Sequence, residues 1–301
     1  MTTTKKILIG ILVAVFLLIT AGATLYSTKI PAVPTRFTVV TTFYPLFYFT
    51  QQIAGDNVTV TMLIPDNVEP HTWEPTVSDI VTVSNAQVFV YNGGGFEPWV
   101  ADVISSVQNK HLIVVDTSTH MNLTSEQGIT DPHFWLDPLL AKTQVENIAA
   151  GLIQADPSHA ATYTQNADHL ASKLDALDRD YRIGLQNRTK NDIITTHEGF
   201  DYLAYRYGFV AHAAIGISAD AQPSTQDMAR LVQLVKTLDL HYVFVEPIFS
   251  DVFMDTIARE TGAQVLVLDG IHGRTGAHAH MDYFQIMEEN LRNLRIGLEV
   301  K

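Results

Sequence analysis

The sequence predicts an α/β fold of two lobes, each with a mostly parallel sheet flanked by helices, bridged by one long rigid helix. Short β-branched runs alternate with helical segments in both halves of the chain, a pattern that predicts βαβ units and parallel sheets. Between the halves lies a segment of about 28 residues that contains no proline and repeats its apolar residues with a helical period. With 301 residues, the chain is long enough for a core in each lobe.

The first 35 residues are predicted to be a targeting segment followed by a short tether. Lys5 and Lys6 precede an apolar run that extends to about residue 23, as in a secretory signal. Cleavage near residue 23 would leave a periplasmic protein. The alternative is an uncleaved anchor, because residues 7–26 are about long enough to span a bilayer. Both alternatives place the folded part outside the cytoplasm, either free or anchored to the outer face of the cytoplasmic membrane.

Residues 36–157 are predicted to form the first lobe, because β-branched strands there end at turns rich in Gly, Pro and Asp. Thr76, with Asp79 three residues later, is a predicted helix N-cap. The predicted strands are residues 37–41, 58–63, 87–91 and 112–115, and the predicted helices are residues 44–54, 76–85, 96–107 and 139–155.

Residues 158–189 are predicted to be the linking segment, whose helix of roughly 28 residues, from His159 to about Asn187, would be about 42 Å long at 1.5 Å per residue. Its apolar face recurs at spacings of four, three and four: Leu170, Leu174, Leu177 and Tyr181. Such a length predicts a connection between lobes rather than a member of either one.

The strand–helix alternation starts again in residues 190–301, the predicted second lobe. Its predicted strands are residues 192–195, 210–215, 242–245 and 265–268, and its predicted helices are residues 199–207, 224–238, 250–262 and 282–300.

Composition excludes several classes of function. The net charge is −13, from 32 acidic and 19 basic residues, so we expect no nucleic-acid partner, which would require a basic surface. The chain has no cysteine, which excludes disulfides, thiolate metal sites, thiol catalysis and a lipidated cysteine. A tightly bound metal ion would therefore need His, Asp or Glu ligands, and 12 histidines are present.

Four side chains that can bind a metal ion are placed where their loops should meet: His71, His133, His197 and Asp269. His71, His197 and Asp269 each follow a predicted strand, and His133 precedes a predicted helix. Residues beyond the carboxyl ends of parallel strands line the ligand crevice of an open sheet. Imidazoles with one carboxylate form a closed shell for a borderline divalent ion. The alternatives are that a loop histidine caps a helix or lies exposed, and that His197 and Asp269 only cap the turns that follow them.

The neighbouring residues support a metal site. Pro70 and Pro132 precede the two histidines of the first lobe and stiffen their loops. Trp73 and Trp135 follow two residues after them and could exclude water. Each metal-bound imidazole needs an acceptor for its other N–H, and the candidates are Glu69, Glu74, Asp131, Asp137 and Glu198.

A second group of histidines lies in one loop near the C-terminus. His272, His278 and His280 flank Gly273 and Gly276. Such a short cluster could collect metal transiently. The alternative is a mobile, solvated loop.

Several local sequences, in this order, resemble those of the substrate-binding proteins of zinc and manganese ABC importers. The matching stretches cover nearly the whole chain after the tether. They are Pro70-His71-Thr72-Trp73-Glu74-Pro75, Glu97-Pro98-Trp99, Asp131-Pro132-His133-Phe134-Trp135, Thr196-His197-Glu198-Gly199, Glu246-Pro247 and Glu260-Thr261-Gly262.

The resemblance implies that His71, His133, His197 and Asp269 are metal ligands between the lobes, and that an ABC permease in the membrane receives the ion. Zinc binders are similar to this chain in having histidine at the third position, where manganese binders typically have glutamate, so Zn²⁺ is the expected ion and Mn²⁺ the alternative. The long His- and acid-rich loop of many zinc members is missing after His71. We expect a monomer without enzymatic activity.

Two other functions remain as alternatives. A zinc hydrolase could use Glu198 as a general base beside His197, but a catalytic zinc usually keeps one position for water, and no His-Glu-x-x-His motif is present. A surface adhesin on the same scaffold is the other alternative, since the family that the chain resembles also contains adhesins.

Overall fold

A computed structural model of the chain describes residues 37–56, 58–123, 125–126, 129–217, 222–250 and 252–301. Within these residues, Phe37–Lys301 forms one unit by its internal contacts. The predicted signal or anchor and its tether, residues 1–35, lie outside the described part. None of the helices that the structure describes is long and apolar enough to cross a membrane.

A four-stranded, all-parallel sheet forms the centre of the first lobe, with strand order β2-β1-β3-β4. Its two central strands carry fully buried Val and Phe side chains, as expected for a parallel sheet that is covered by helices on both faces. The strands are β1 (Phe37–Thr41), β2 (Val58–Met62), β3 (Val88–Tyr91) and β4 (Ile113–Asp116), and the helices are α1 (Tyr44–Ala54), α2 (Val77–Ser84), α3 (Val100–Ser106) and α4 (Pro138–Ala155). A small antiparallel pair, β5 (Ser125–Glu126) and β6 (Ile129–Thr130), precedes α4.

Local chemistry explains where two of these helices begin. Thr76 caps α2 in a capping box with Asp79, as the sequence predicts. Helix α3 begins at Val100, four residues later than predicted. The preceding residues form a turn in which the Glu97 carboxylate accepts hydrogen bonds from the Asn92 and Gly93 amides, at 2.8 and 3.1 Å.

The predicted linking helix is present as α5 (Ala160–Gly184), with 25 residues. Its predicted apolar face is buried, and it packs against α1 and α4 as well as the last helix of the second lobe. The main core therefore runs continuously from the four-stranded sheet along α5 into the second lobe. The predicted boundaries at residues 157 and 189 remain predictions.

The second lobe contains two pairs of parallel strands, β7 with β8 and β9 with β10, and β7 lies next to β9. A separate apolar cluster fills the space under α7 and α8. The strands are β7 (Asp192–His197), β8 (Val210–Ile215), β9 (Tyr242–Val245) and β10 (Gln264–Val267), and the helices are α6 (Asp201–Tyr207), α7 (Thr225–Thr237), α8 (Val252–Thr261) and α9 (Tyr283–Gly297). The predicted α/β class, with parallel sheets and a long helix between them, is confirmed.

Candidate metal centre

Four histidines from both lobes come together at the carboxyl ends of the strands. Each of His71, His133, His197 and His272 contributes one ring nitrogen to a group whose members all lie within 4.8 Å of one another. Three of the four residues are among the predicted ligands. The fourth is His272, and Asp269, the predicted fourth ligand, is not a member of this group.

His71 lies in a short 3-10 turn, Pro70–Thr72, after β2. The Glu69 carboxylate caps this turn by accepting a hydrogen bond from the His71 amide at 3.0 Å. Pro70 is buried and fixes the backbone at the first position of the turn. His71 is the one member of the group that is partly exposed, since the other three are buried, so the site opens to solvent on the His71 side.

His133 is held from both its backbone and its ring. Asp131 Oδ1 accepts from the His133 amide at 2.9 Å and lies 2.8 Å from His133 Nδ1. The loop itself is anchored, because Tyr202 donates to the Asp131 carbonyl and Asn92 donates to the Pro132 carbonyl. The Nε2 atom of His133 is thereby directed to the centre of the group.

His197 is the last residue of β7 and is fully buried. Its Nδ1 lies 2.6 Å from Glu246 Oε1, at the end of β9. Gly199 allows the ring to lie against the following turn, because a Cβ at that position would be 2.4 Å from His197 Nε2 and Cε1. This close approach explains a glycine where the sequence predicts the start of a helix, which begins instead at Asp201.

The three predicted histidines direct the same nitrogen at one another. His133 Nε2 is 3.1 Å from His71 Nε2 and 3.0 Å from His197 Nε2. Because the carboxylates of Asp131 and Glu246 accept from the Nδ1 atoms, the neutral rings of His133 and His197 present lone pairs on Nε2. Two lone pairs at 3.0 Å repel unless a cation lies between them. The separation resembles the edge of a tetrahedron of nitrogen ligands around Zn²⁺, about 3.3 Å.

Burial and neighbouring charges set the protonation of the site. Burial lowers the pKa of His133 and of His272 well below the usual value, and the nearby His197 lowers both further. Burial alone would lower the pKa of His197, but the Glu246 carboxylate outweighs it and leaves the pKa of His197 raised. Burial raises the pKa of Asp131 to about 6. A proton on His197 Nε2 can therefore replace a metal ion by bridging to His133.

Asp269 is occupied by contacts within its own loop. Its Oδ1 accepts from the Ile271 amide at 2.8 Å, and its Oδ2 lies 2.6 Å from His278 Nδ1. Asn290 accepts from the Asp269 amide and donates to its carbonyl, both at 2.8 Å. These bonds fix the start of the loop that carries His272. The prediction that Asp269 itself is a ligand remains a prediction.

The predicted C-terminal histidine loop is not uniformly solvated. His272 and His278 are buried, and only His280 is exposed. His278 pairs with Asp269, and this hydrogen bond raises its pKa. The three histidines of this loop thus have different environments, and of the three only His272 belongs to the group of four histidines.

Aromatic rings surround the histidines. Phe96 lies 4.8 Å from the ring of His71, Trp135 lies 5.1 Å from the ring of His133, and Phe249 lies 5.1 Å from the ring of His197, measured between centroids. Trp135 thus has the expected position at the site, and its Nε1 donates to the Gly270 carbonyl at 2.8 Å. Trp73 instead packs on Trp99, at 5.1 Å.

The acceptors for the imidazole N–H groups were only partly predicted. Asp131 is an acceptor for His133, and Glu69 caps the His71 turn through the backbone. Asp137 instead caps α4 and pairs with Arg206, and Glu74 is exposed. The acceptor for His197, Glu246, was not among the candidates. Its position directly after β9 is the sequence feature that could have identified it.

Comparison with known proteins gives a consistent result. The sequence profile of the family described as "Zinc-uptake complex component A periplasmic" matches residues 39–297. The high-affinity zinc uptake system protein ZnuA of Bacillus subtilis (strain 168) is 36% identical over 280 residues, which cover 87% of this chain and 88% of that protein. The zinc-binding protein AdcA of Streptococcus pyogenes serotype M6 is 34% identical over 288 residues, 87% of this chain but 56% of AdcA. The chain thus spans about half the length of that relative.

Solved structures are also similar. The zinc-bound ZnuA-like domain of Streptococcus pneumoniae AdcA is 33% identical, with a TM-score of 0.78 over 88% of this chain and 99% of that domain. The laminin-binding protein Lmb of Streptococcus agalactiae, described as bifunctional with adhesin and metal-transporting activity, is 29% identical, with a TM-score of 0.81 over 87% of this chain and 99% of that one.

Proposed function

Because this chain belongs to the family of the periplasmic component A of zinc-uptake complexes, we propose that it captures Zn²⁺ outside the cytoplasm and delivers it to an ABC importer permease. The observation that carries the proposal is the 3.0 Å separation of His133 Nε2 and His197 Nε2, with both Nδ1 atoms already facing carboxylates. A divalent cation between these two Nε2 atoms would remove the repulsion of their lone pairs and form a coordinate bond with each.

The proposed ligands are the Nε2 atoms of His71, His133 and His197, with His272 as the fourth. All four ligand nitrogens lie within 4.8 Å of one another, so they need to close by at most about 1.5 Å to form a tetrahedron around Zn²⁺. Such a small movement agrees with the long helix α5, which packs against both lobes and restricts wide opening.

Nitrogen ligands favour Zn²⁺ over the alternative ion Mn²⁺, which prefers carboxylate and water oxygens. The nearby carboxylates of Asp131 and Glu246 face the outer nitrogens of the rings rather than the centre of the group. They balance the charge of the ion and orient the ligands. The donor set therefore supports zinc as the cargo.

The proposal does not include catalysis. A zinc hydrolase needs an open coordination position for water, and four nitrogen ligands occupy all four positions of a tetrahedral ion. Glu198, the predicted general base of that alternative, is partly exposed at the end of β7. A hydrolase would also need a substrate cleft beside the metal, whereas three of the four histidines are buried.

The adhesin alternative rests on the likeness to Lmb, and it is compatible with metal transport. We propose transport as the primary function because the four-histidine group, three of whose members are buried, offers nitrogen ligands suited to a cation. The folded part then works outside the cytoplasm as a monomer, and the permease is its partner.

Native mass spectrometry of the mature protein purified without added metal tests the proposal, together with titration calorimetry of His133→Ala. We expect one zinc ion per wild-type chain, no tightly bound zinc in His133→Ala, and unchanged binding in the control His169→Ala, which alters an exposed histidine on α5. Tight zinc binding retained in His133→Ala would contradict the proposed site. The same spectrum of the mature protein reports its N-terminus.

A further inference from the structure

We propose that the Glu246 carboxylate is a shared positioning group, which holds His197 through Oε1 and, once zinc is bound, His272 through Oε2. The inference rests on the proposed function and adds to it the residue that ties the two ligands of the second lobe together.

The first half of this arrangement is present in the structure. Glu246 Oε1 lies 2.6 Å from His197 Nδ1 and accepts from the His197 amide at 3.2 Å. The carboxylate is held in place from its own backbone, because the Glu246 amide donates to Thr196 Oγ1 at 3.3 Å. Glu246 is buried, so water does not compete for this contact.

For the second half of the arrangement, Glu246 Oε2 and His272 are both present, but no hydrogen bond joins them. Within the described part of the chain, Glu246 Oε2 is buried without a hydrogen-bond partner, and so are both ring nitrogens of His272. A buried carboxylate oxygen or imidazole N–H without a hydrogen-bond partner destabilises the folded protein. A carboxylate oxygen accepts and an imidazole N–H donates, so each group offers what the other lacks.

Gly270 places these two groups beside each other. A Cβ on Gly270 would lie 2.7 Å from Glu246 Oε2 and 3.0 Å from His272 Nδ1. Glu246 Oε2 and His272 Nδ1 therefore both lie near the position that a Cβ of residue 270 would occupy, and glycine has only a hydrogen there. Trp135 Nε1 fixes the Gly270 carbonyl at 2.8 Å, so the glycine remains between them.

We expect the hydrogen bond between His272 and Glu246 Oε2 to form when zinc binds. When His272 Nε2 turns to the ion, its Nδ1 must carry the proton and needs an acceptor. His133 and His197 already follow this rule, with Nδ1 facing Asp131 and Glu246 respectively. Glu246 Oε2 is the acceptor that gives His272 the same arrangement. One carboxylate then orients two ligands, whereas Asp131 orients only one.

Glu246→Gln separates the two roles of the carboxylate. The amide keeps one acceptor oxygen but puts an NH₂ donor in place of the other, so it cannot accept from both imidazoles. Loss of one outer acceptor typically lowers metal affinity 10- to 100-fold. We expect Glu246→Gln to lower zinc affinity by about this factor, with the effect transmitted mainly through His272 because His197 retains an acceptor.

A double-mutant cycle measured by chelator competition tests the coupling. In the His272→Ala background, Glu246→Gln should lose most of its effect, while the matched control Asp131→Asn, which acts on His133, should keep its full effect. Equal effects of Glu246→Gln in both backgrounds would overturn the inference. If wild-type protein binds no zinc, the proposed function fails instead, so the two failures are distinguishable.

A spectroscopic measurement on the wild-type protein tests the inference without depending on whether a variant folds. Long-range ¹H–¹⁵N spectra of the histidine rings of the zinc-loaded protein report which nitrogen carries the proton. We expect His272 to be protonated at Nδ1, with that proton protected from exchange with solvent as it is in His197. A His272 Nδ1 that lacks a proton or exchanges freely would overturn the inference.

Discussion

The Nε2 atoms of His133 and His197 lie 3.0 Å apart across the two lobes, and each ring has its Nδ1 on a buried carboxylate. The carboxylates thus select the tautomer in which the lone pairs face each other. Only a proton or a metal ion between them removes the repulsion. The proposed zinc site is therefore preorganised, because a cation between the two nitrogens satisfies both lone pairs.

His272→Ala and Asp269→Asn together identify the fourth ligand. Loss of a zinc ligand should cost more than loss of an outer acceptor, so we expect His272→Ala to lower zinc affinity roughly 100-fold or more. Asp269→Asn should lower it by less than about tenfold, because Asp269 contacts Ile271 and His278 instead. Chelator competition measures both. The reverse order of the two effects would make Asp269 the ligand.

Zinc binding should weaken as the pH falls. Metal binds only the neutral imidazole, and the raised pKa of His197 extends proton competition above the ordinary histidine pKa of about 6.5. The lowered pKa values of His133 and His272 keep those rings neutral, so His197 dominates. Calorimetry near pH 7 in buffers of different ionisation enthalpy should show release of up to about one proton per zinc. Affinity independent of pH from about 5.5 to 7.5 would contradict this assignment.

Gly199→Ala should disturb His197 directly. The added Cβ would lie 2.4 Å from two atoms of the ring, so the ring must move away from the centre of the group. We expect zinc affinity to fall at least about tenfold, as for other losses of ligand orientation. Gly216→Ala is the matched control, because the nearest atom to its Cβ is Glu198 Oε2 at 3.9 Å. Equal affinities for the two variants would argue against the described position of His197.

The loop that carries His272 is fastened to the first lobe by Asp66. Arg274 donates to Asp66 from its amide at 3.0 Å and from its guanidinium at 2.9 Å, and the guanidinium lies over the ring of Tyr44. Asp66→Asn should speed zinc release about two- to fivefold, the range expected from a partly exposed ion pair. Stopped-flow release into excess chelator measures the rate. Asp239→Asn, which removes the exposed pair with Lys190, should leave it unchanged.

Most of the fold could be predicted from the sequence, because local sequence patterns determine the strands and helices of both halves. The bounds predicted for β1, α1, β8 and β9 are those observed, since β-branched runs and Gly or Pro breaks determine them locally. The Glu97 turn shortened α3 because a carboxylate folds back onto Asn92 and Gly93. Such a contact depends on tertiary structure and leaves no periodic pattern.

The group of histidines was predictable where its members follow strands. His71, His133 and His197 lie as predicted next to one another, but the fourth position depends on how one loop folds. Asp269 follows β10, yet its carboxylate accepts from the Ile271 amide and contacts His278, and His272 is the residue of this loop that reaches the other histidines. Strand-end placement predicts which loop reaches the candidate site but not which residue of that loop does so.

A crystal structure of the zinc-loaded protein, with anomalous data collected at the zinc edge, tests the central claim most directly. We predict one strong anomalous peak between the lobes, with the Nε2 atoms of His71, His133, His197 and His272 at about 2.0–2.1 Å. A peak elsewhere, or a peak with an Asp269 oxygen in place of His272, would contradict the four-histidine site.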